Sequence, residues 1–450
     1  MTVNRRDLLL GSLPLAVGTS LPHNQEVQAA EPIKQVALNF QETRLVPNSS
    51  KDQTKRLQAA IDLAAKRKEK LVLPGGTFKT GPLTLRSGTH IEGLYGETVL
   101  KFISGPSFIS ANNITSATLR FITFDGASIG FIQGGVDALL SFQAIPHLLI
   151  EHCFIKDGLL NGLSLRNCGG HVHSNKISLC GSAGVFALDS TGLEISHNHV
   201  SECSNNGILV WRSEKGADGT IVSQNQISRI KTVDGGSGQN GNGVNVYRAG
   251  NVIVSNNVIS DCAYSAIRGN GADNIQILNN SCSNLGEVAL YSEFGFEGAV
   301  ISNNMVDGAH VGISITNFNE GGRLATATGN LIRNLHKFQG HSAIGIAVEA
   351  DTMVTGNVVE SVPGLGISLG YGKYMRQVTV NNNLVRDAQV GIGVSDHTEA
   401  GFALIATNMI TGSKDGAIRA MDLSTPVGPD LSKTGAKSAK NMAVYGNVSV

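Results

Sequence analysis

The 450-residue sequence has a single tryptophan and six cysteines. It is also poor in charge: 16% of its residues are Asp, Glu, Lys or Arg, against roughly 25% in an ordinary soluble domain. Thirty-five basic side chains balance 35 acidic ones, so the formal net charge is zero. The balance argues against a nucleic-acid groove built from bulk positive charge, and the scarcity argues against a charged disordered chain. No internal run reaches the ~20 apolar residues of a membrane span. The cysteines, Cys153, Cys168, Cys180, Cys203, Cys262 and Cys282, contain no C-x-x-C pair, and zinc-type clustering is missing. The leucine lattice of leucine-rich repeats, the six-residue period of left-handed hexapeptide helices and the calcium-binding G-G-x-G-x-D nonapeptide are missing too.

What is abundant is glycine, 54 residues, and a recurring asparagine. Asn175, Asn198, Asn225, Asn257, Asn280, Asn304, Asn330, Asn357, Asn383 and Asn408 share one context. Nine of the ten have a β-branched residue three positions before (Val172, Ile195, Val222 and so on, with Ala327 the exception), and an apolar residue lies two after each (Ile177, Val200, Ile227). His152 takes the slot one turn earlier, and Asn447 ends the series. Neighbouring asparagines are 23 residues apart at Asn175–Asn198 and 32 apart at Asn225–Asn257. Such a period suits three short strands and three turns per coil, hence an all-β, right-handed, single-stranded parallel β-helix. Stacked coils place like residues over like: apolar columns fill the bore, and asparagines in a turn pair with backbone and with each other. Cys180, Cys203 and Cys262 fall in an inward column and Cys282 in its neighbour, so most read as small buried thiols rather than bridges.

The ends differ from the middle. Asn4, Arg5, Arg6 and Asp7 precede an apolar run, Leu8 to Val17, and small residues Ala29 and Ala30 follow, which resembles a twin-arginine export signal over residues 1–30. The destination is then the periplasm or the outside, with the twin-arginine machinery as a partner. Residues 31–100 form an N-terminal cap: Leu57, Ala60, Ile61 and Ala64 at helical spacing, then first strands. Coils occupy 101–421. Residues 422–450 are a Ser-, Thr-, Pro-, Gly- and Lys-containing loop that returns as a closing rung.

Together, the leader, the LVLPGGTF first strand and the N-x-I/V rungs resemble exported right-handed parallel β-helix repeat proteins of the pectate-lyase-like superfamily. The resemblance covers nearly the whole chain and implies a fold, but it carries no catalytic residue onto this sequence. The R-x-P-x-R motif of pectate lyases, the paired N-T-D and G-D-D of polygalacturonases and the D-P-H-E of alginate epimerases are all missing.

Chemistry must therefore be sought on the strands. Alternation places Leu209, Asn245, Arg268 and Leu290 outward, then Trp211, Tyr247, Asn270, Ser292, Thr316 and Glu349. Just beyond come Asp189, Arg212, Arg248 and Glu293. Tyr291 falls inward. Aromatic rings stack on sugar faces and guanidinium forks bind carboxylates or hydroxyls, so Trp211, Arg212, Tyr247, Arg248 and Arg268 are the expected substrate-binding residues. Glu293 is the expected acid or base, with Glu287 and Asp234 as candidate partners. Residues 231–242 form an insertion able to wall a groove. His171, His173, His197 and His199 read as surface turn residues, and no histidine pairs with a carboxylate in metal spacing. No cofactor is expected; calcium has no supporting motif. Two readings stay open: an exported polysaccharide-processing hydrolase, lyase or epimerase, which is favoured, and a non-catalytic carbohydrate-binding or envelope-structural β-helix.

Overall fold

The computed structural model describes residues 36–132, 135–236, 238–435 and 441–450. The export-signal reading lies outside the described residues. Within them, a coil of the middle region contributes three strands. One coil runs Ala183–Leu188, Glu194–Ser196, His199–Ser201; the next runs Asn206–Ala217, Ile221–Ser223, Gln226–Ile230. These define a first, second and third strand row. The second row is a 15-stranded sheet. Its strands pair in parallel, for example Val172↔Ile195 and Ile195↔Val222. The architecture is a parallel β-helix.

The bore is a single apolar core. Val185, Ile208, Val244, Ile267, Leu290 and Ile313 stack in register in the first row and are fully buried. Asparagine holds the corner between the second and third rows. Asn198 N–H and Nδ2 both donate to Asn225 Oδ1, at 2.9 and 3.0 Å, and Asn198 Nδ2 also donates to the Val172 carbonyl at 2.9 Å. The same bonds repeat coil after coil up to Asn408 and Asn447. This leaves the buried amides of the corner paired, as an interior requires.

At the lower end the ladder starts one residue later than its spacing suggests. Cys153, not His152, is stacked under Asn175 and donates its N–H to Asn175 Oδ1 at 2.9 Å. Only a backbone N–H is needed there, so the slot accepts a side chain without an amide. All six cysteines are free and buried.

The helix Thr54–Arg67 buries Leu57, Ala60, Ile61 and Ala64 against the open end of the bore. Its polar side chains also satisfy edge backbone: Gln58 Oε1 accepts from Thr84 N–H at 2.8 Å, and Gln58 Nε2 donates to the Thr84 carbonyl at 2.9 Å. An edge strand so covered is blunted against pairing with another chain. At the other end the chain makes a hairpin, with Thr425–Val427 antiparallel to Ile418–Asp422. A short helix, Leu431–Thr434, follows, and Met442–Tyr445 then pairs with Ala403–Ala406. Among the described residues no helix is long and apolar enough to cross a membrane.

One strand register departs from the sequence reading. Ile267 pairs with Leu290, Arg268 with Tyr291 and Asn270 with Glu293. Leu290 therefore points inward and Tyr291 outward, the reverse of expectation, and Glu293 stands in the column of Trp211, Tyr247 and Asn270. The 23-residue offset of Cys262↔Leu285 simply continues through this coil. Aligning Val288 with Ala266 shortens it by one and flips every side chain.

Candidate functional site

Outward side chains of the first row form a continuous face over the middle coils. At its lower part Phe186, Trp211 and Tyr247 make an edge-to-face series, with centroids 5.5 and 5.7 Å apart. Trp211 Nε1 donates to Asn245 Oδ1 at 3.2 Å, and Asn245 Nδ2 donates to the Gly238 carbonyl at 3.1 Å. The insertion is thus tied down beside the aromatic rings. The Arg248 guanidinium lies over the Tyr247 ring, 4.9 Å from its centroid, and Nη1 donates to the Ser213 carbonyl at 2.9 Å.

Next comes a closed ion pair. Arg268 Nε donates to Glu293 Oε1 at 2.6 Å and Nη2 to Oε2 at 2.9 Å, while Asn270 Nδ2 donates to Oε1 at 3.0 Å. Their side chains are 8% and 3% exposed. Glu287 Oε2 lies 3.7 Å from Arg268 Nη1, and the guanidinium sits over the Tyr291 ring at 4.9 Å. Glu287 and Glu293 thus flank one guanidinium. The place where a glycosidase pair would hold a sugar oxygen between its acids is filled by Arg268.

Beyond the pair the face opens into a groove of about 330 Å³, lined by Glu287, Tyr291, His310, Ser314, Thr316, Glu349 and Tyr371, among others. Four of its titratable groups, Glu287, Tyr291, His310 and Glu349, are displaced from their ordinary values. Burial pushes Glu287 up, the Arg268 charge opposes this, and Glu293 adds to it. Oxygen Oε2 of Glu287 is buried without a hydrogen-bond partner. Burial also raises Glu349, against hydrogen bonds from Phe318 and Asn317. Burial lowers His310, whose Nδ1 is 3.1 Å from the His336 carbonyl oxygen. Tyr291 is pushed up to about 12, first by burial and then by Glu293. A hollow of about 350 Å³ on the second row, lined by Asn274, Gln276, Val300 and Leu324, among others, holds no ionisable side chain.

The expected site residues separate into three groups. Trp211, Tyr247, Arg248, Arg268, Glu293 and Glu287 share the face. Asp234 bonds instead to Asn205, accepting from its Nδ2 at 2.6 Å. Asn205, Gly241, Tyr264 and Glu287 are linked by successive backbone bonds, so Asp234 is anchored three rungs below Glu287. Arg212 turns toward Asp189 and Asp218, whose carboxyls feel its charge. Sequence reasoning missed His310 and misplaced Tyr291. His310 N–H donates to the Glu287 carbonyl at 2.9 Å, so the coil spacing of 23 residues from Glu287 was the signal available.

No curated protein sequence matches the chain. Among solved structures, the pre-mature bacteriophage phi29 gene product 12 is similar at TM-score 0.52 and 16% identity, over 90% of this chain and 57% of that one. The catalytic unit of a thermostable GH87 α-1,3-glucanase from Streptomyces thermodiastaticus gives 0.48 and 14%, over 94% and 70%. The A-module of the mannuronan C-5 epimerase AlgE4 from Azotobacter vinelandii gives 0.47 and 16%, over 90% and 99%. At these identities the likeness concerns the fold. The family described as right handed beta helix region matches at residues 107–227, 161–321 and 214–374. These overlapping matches span more than half of the sequence, and the parallel coils and asparagine corner agree with them: the chain belongs to the right-handed β-helix family.

Proposed function

We propose that the first-row face binds an extended glycan and that the groove above Arg268 processes it by proton transfer. The carrying observation is the meeting, in one groove, of a raised carboxyl, Glu287, and a lowered imidazole, His310, on adjacent coils. Burial favours the uncharged form of each, and a protonated carboxyl beside a neutral imidazole pairs a proton donor with a proton acceptor. Tyr291, kept protonated by burial, supplies a phenol to the same groove. Trp211 and Tyr247, several coils below, offer ring faces to further sugar units, and Arg248 offers an exposed cation.

The geometry favours proton abstraction, as in elimination or epimerisation, over hydrolysis. Glu293 is locked to Arg268. Glu349 is engaged by the Phe318 N–H, which donates to its Oε2 at 2.7 Å. An exported, periplasmic or secreted enzyme with an acidic polysaccharide as substrate is the resulting assignment. A non-catalytic glycan-binding role draws on one observation, the closed Arg268–Glu293 pair, which leaves no open acid dyad.

Incubation with neutral and acidic polysaccharides tests this, reading new reducing ends, unsaturated uronate absorbance and C-5 proton exchange. Turnover is expected, and Glu287→Gln should reduce it about 10²–10⁴-fold. Full activity of Glu287→Gln and His310→Ala would remove the assignment. Tight glycan binding without turnover would favour the binding role.

A further inference from the structure

Half of the twelve histidines of the sequence fall between residues 147 and 199. The coils bring two of them together with a carboxylate at the corner between the second and third rows, across the coil from the groove. Glu151 and His173 are register partners on adjacent strands, His147–Glu151 and Gly170–His173. His152 follows Glu151 with φ of +52°. That left-handed turn breaks strand alternation, so two consecutive side chains stand on the same outer corner. One donor atom from each of Glu151, His152 and His173 lies within 4.8 Å of the others.

Three further features support a ligand here. Nδ1 of His173 is buried and has no hydrogen-bond partner. Arg120 pairs with Glu151 through Oε1, which holds this carboxylate in place beside the rings. His152 stacks on Phe121, centroids 5.2 Å and planes 15° apart, which fixes the orientation of its ring. Two imidazoles and a carboxylate are the donor set of a zinc-type ion; calcium prefers oxygen alone. We infer that Glu151, His152 and His173 bind one divalent transition-metal ion, Zn²⁺ or a close relative, with the remaining coordination positions open to water. The ion would tie together two successive coils and lies too far from the groove to take part in its chemistry. The competing account is that these rings only extend the stack of Tyr95, Phe121, His152, His173 and His197.

Zn²⁺ alone, titrated into untagged protein by calorimetry and checked by metal analysis after dialysis, separates the two. One ion per chain is expected, with a rise in melting temperature on loading. His173→Ala and His152→Ala should each weaken binding at least about tenfold. Glu151→Gln, which keeps the side-chain shape, should weaken it in the same direction. The surface control His147→Ala/His199→Ala should bind as the parent does. Absence of stoichiometric uptake, or uptake by His152→Ala/His173→Ala as tight as the parent's, overturns the inference.

Discussion

Two glutamates share Arg268, and removing their charges is expected to move stability in opposite directions. Glu293 and Arg268 are both buried and bonded through two parallel contacts. Truncating one partner leaves the other as an uncompensated buried charge, so Glu293→Ala should destabilise by about 3–5 kcal/mol in denaturant unfolding. For Glu287 the folded-state value is raised, mainly by burial. A raised carboxyl binds its proton better in the folded state. Its contribution is therefore full below the ordinary carboxylate range and is lost as pH rises through the raised folded value. At pH 7 Glu287→Gln should leave the midpoint equal to or above that of the parent, with the gap closing toward acid pH. A Glu287→Gln variant weaker than the parent at pH 7 would show that its attraction to Arg268 outweighs burial. Alternation exposed most of these outward residues in the sequence itself. Tyr291 was placed on the wrong face and Glu293 one position out of its column because Val288, Ala289 and Leu290 are all buried, so hydrophobicity alone gives two equally apolar registers for that strand.

The asparagine corner is the element most plainly written in the sequence, because each slot above Cys153 is an amide flanked by apolar columns. It also makes a local prediction. Asn257 Oδ1 accepts from Asn225 N–H and Nδ2, at 2.9 and 3.0 Å, and Asn257 Nδ2 donates to the Val222 carbonyl at 3.0 Å. Asn257→Ala strands these groups in a dry interior at about 1–3 kcal/mol for each orphan. Hydrogen exchange of the Asn225 amide should accelerate more than that of its strand neighbours. An unchanged rate there would mean that the corner is held by the strands and not by the amide stack. The capping helix was equally legible, since Leu57, Ala60, Ile61 and Ala64 repeat at helical spacing. The groove was not, because its lining gathers side chains from the strands Val288–Glu293, Val311–Ile315 and Ala343–Val348 and the turns beside them. The histidine–glutamate corner was hidden for the same reason: His173 lies 21 residues from His152 and 22 from Glu151 in the chain.

The described coils form a ladder in which every rung contacts its neighbours and no disulfide spans them. Burial raises the thiols of Cys153 and Cys282 to about 12 and lifts Cys262 further. Such thiols are poor nucleophiles. Reducing agent should leave the melting temperature unchanged, and iodoacetamide should label the protein only after denaturation; labelling of the native chain would show that the bore opens. The corner also has an arithmetic consequence. The step from Asn175 to Asn198 spans 23 residues and that from Asn225 to Asn257 spans 32, yet both end in the same pair of amide bonds. Surplus length is discarded into turns such as 231–236, and the count restarts at the next asparagine. Insertions and deletions there can redraw the wall beside the aromatic rings without a frameshift in any strand above, so the face can diversify while its scaffold stays in phase.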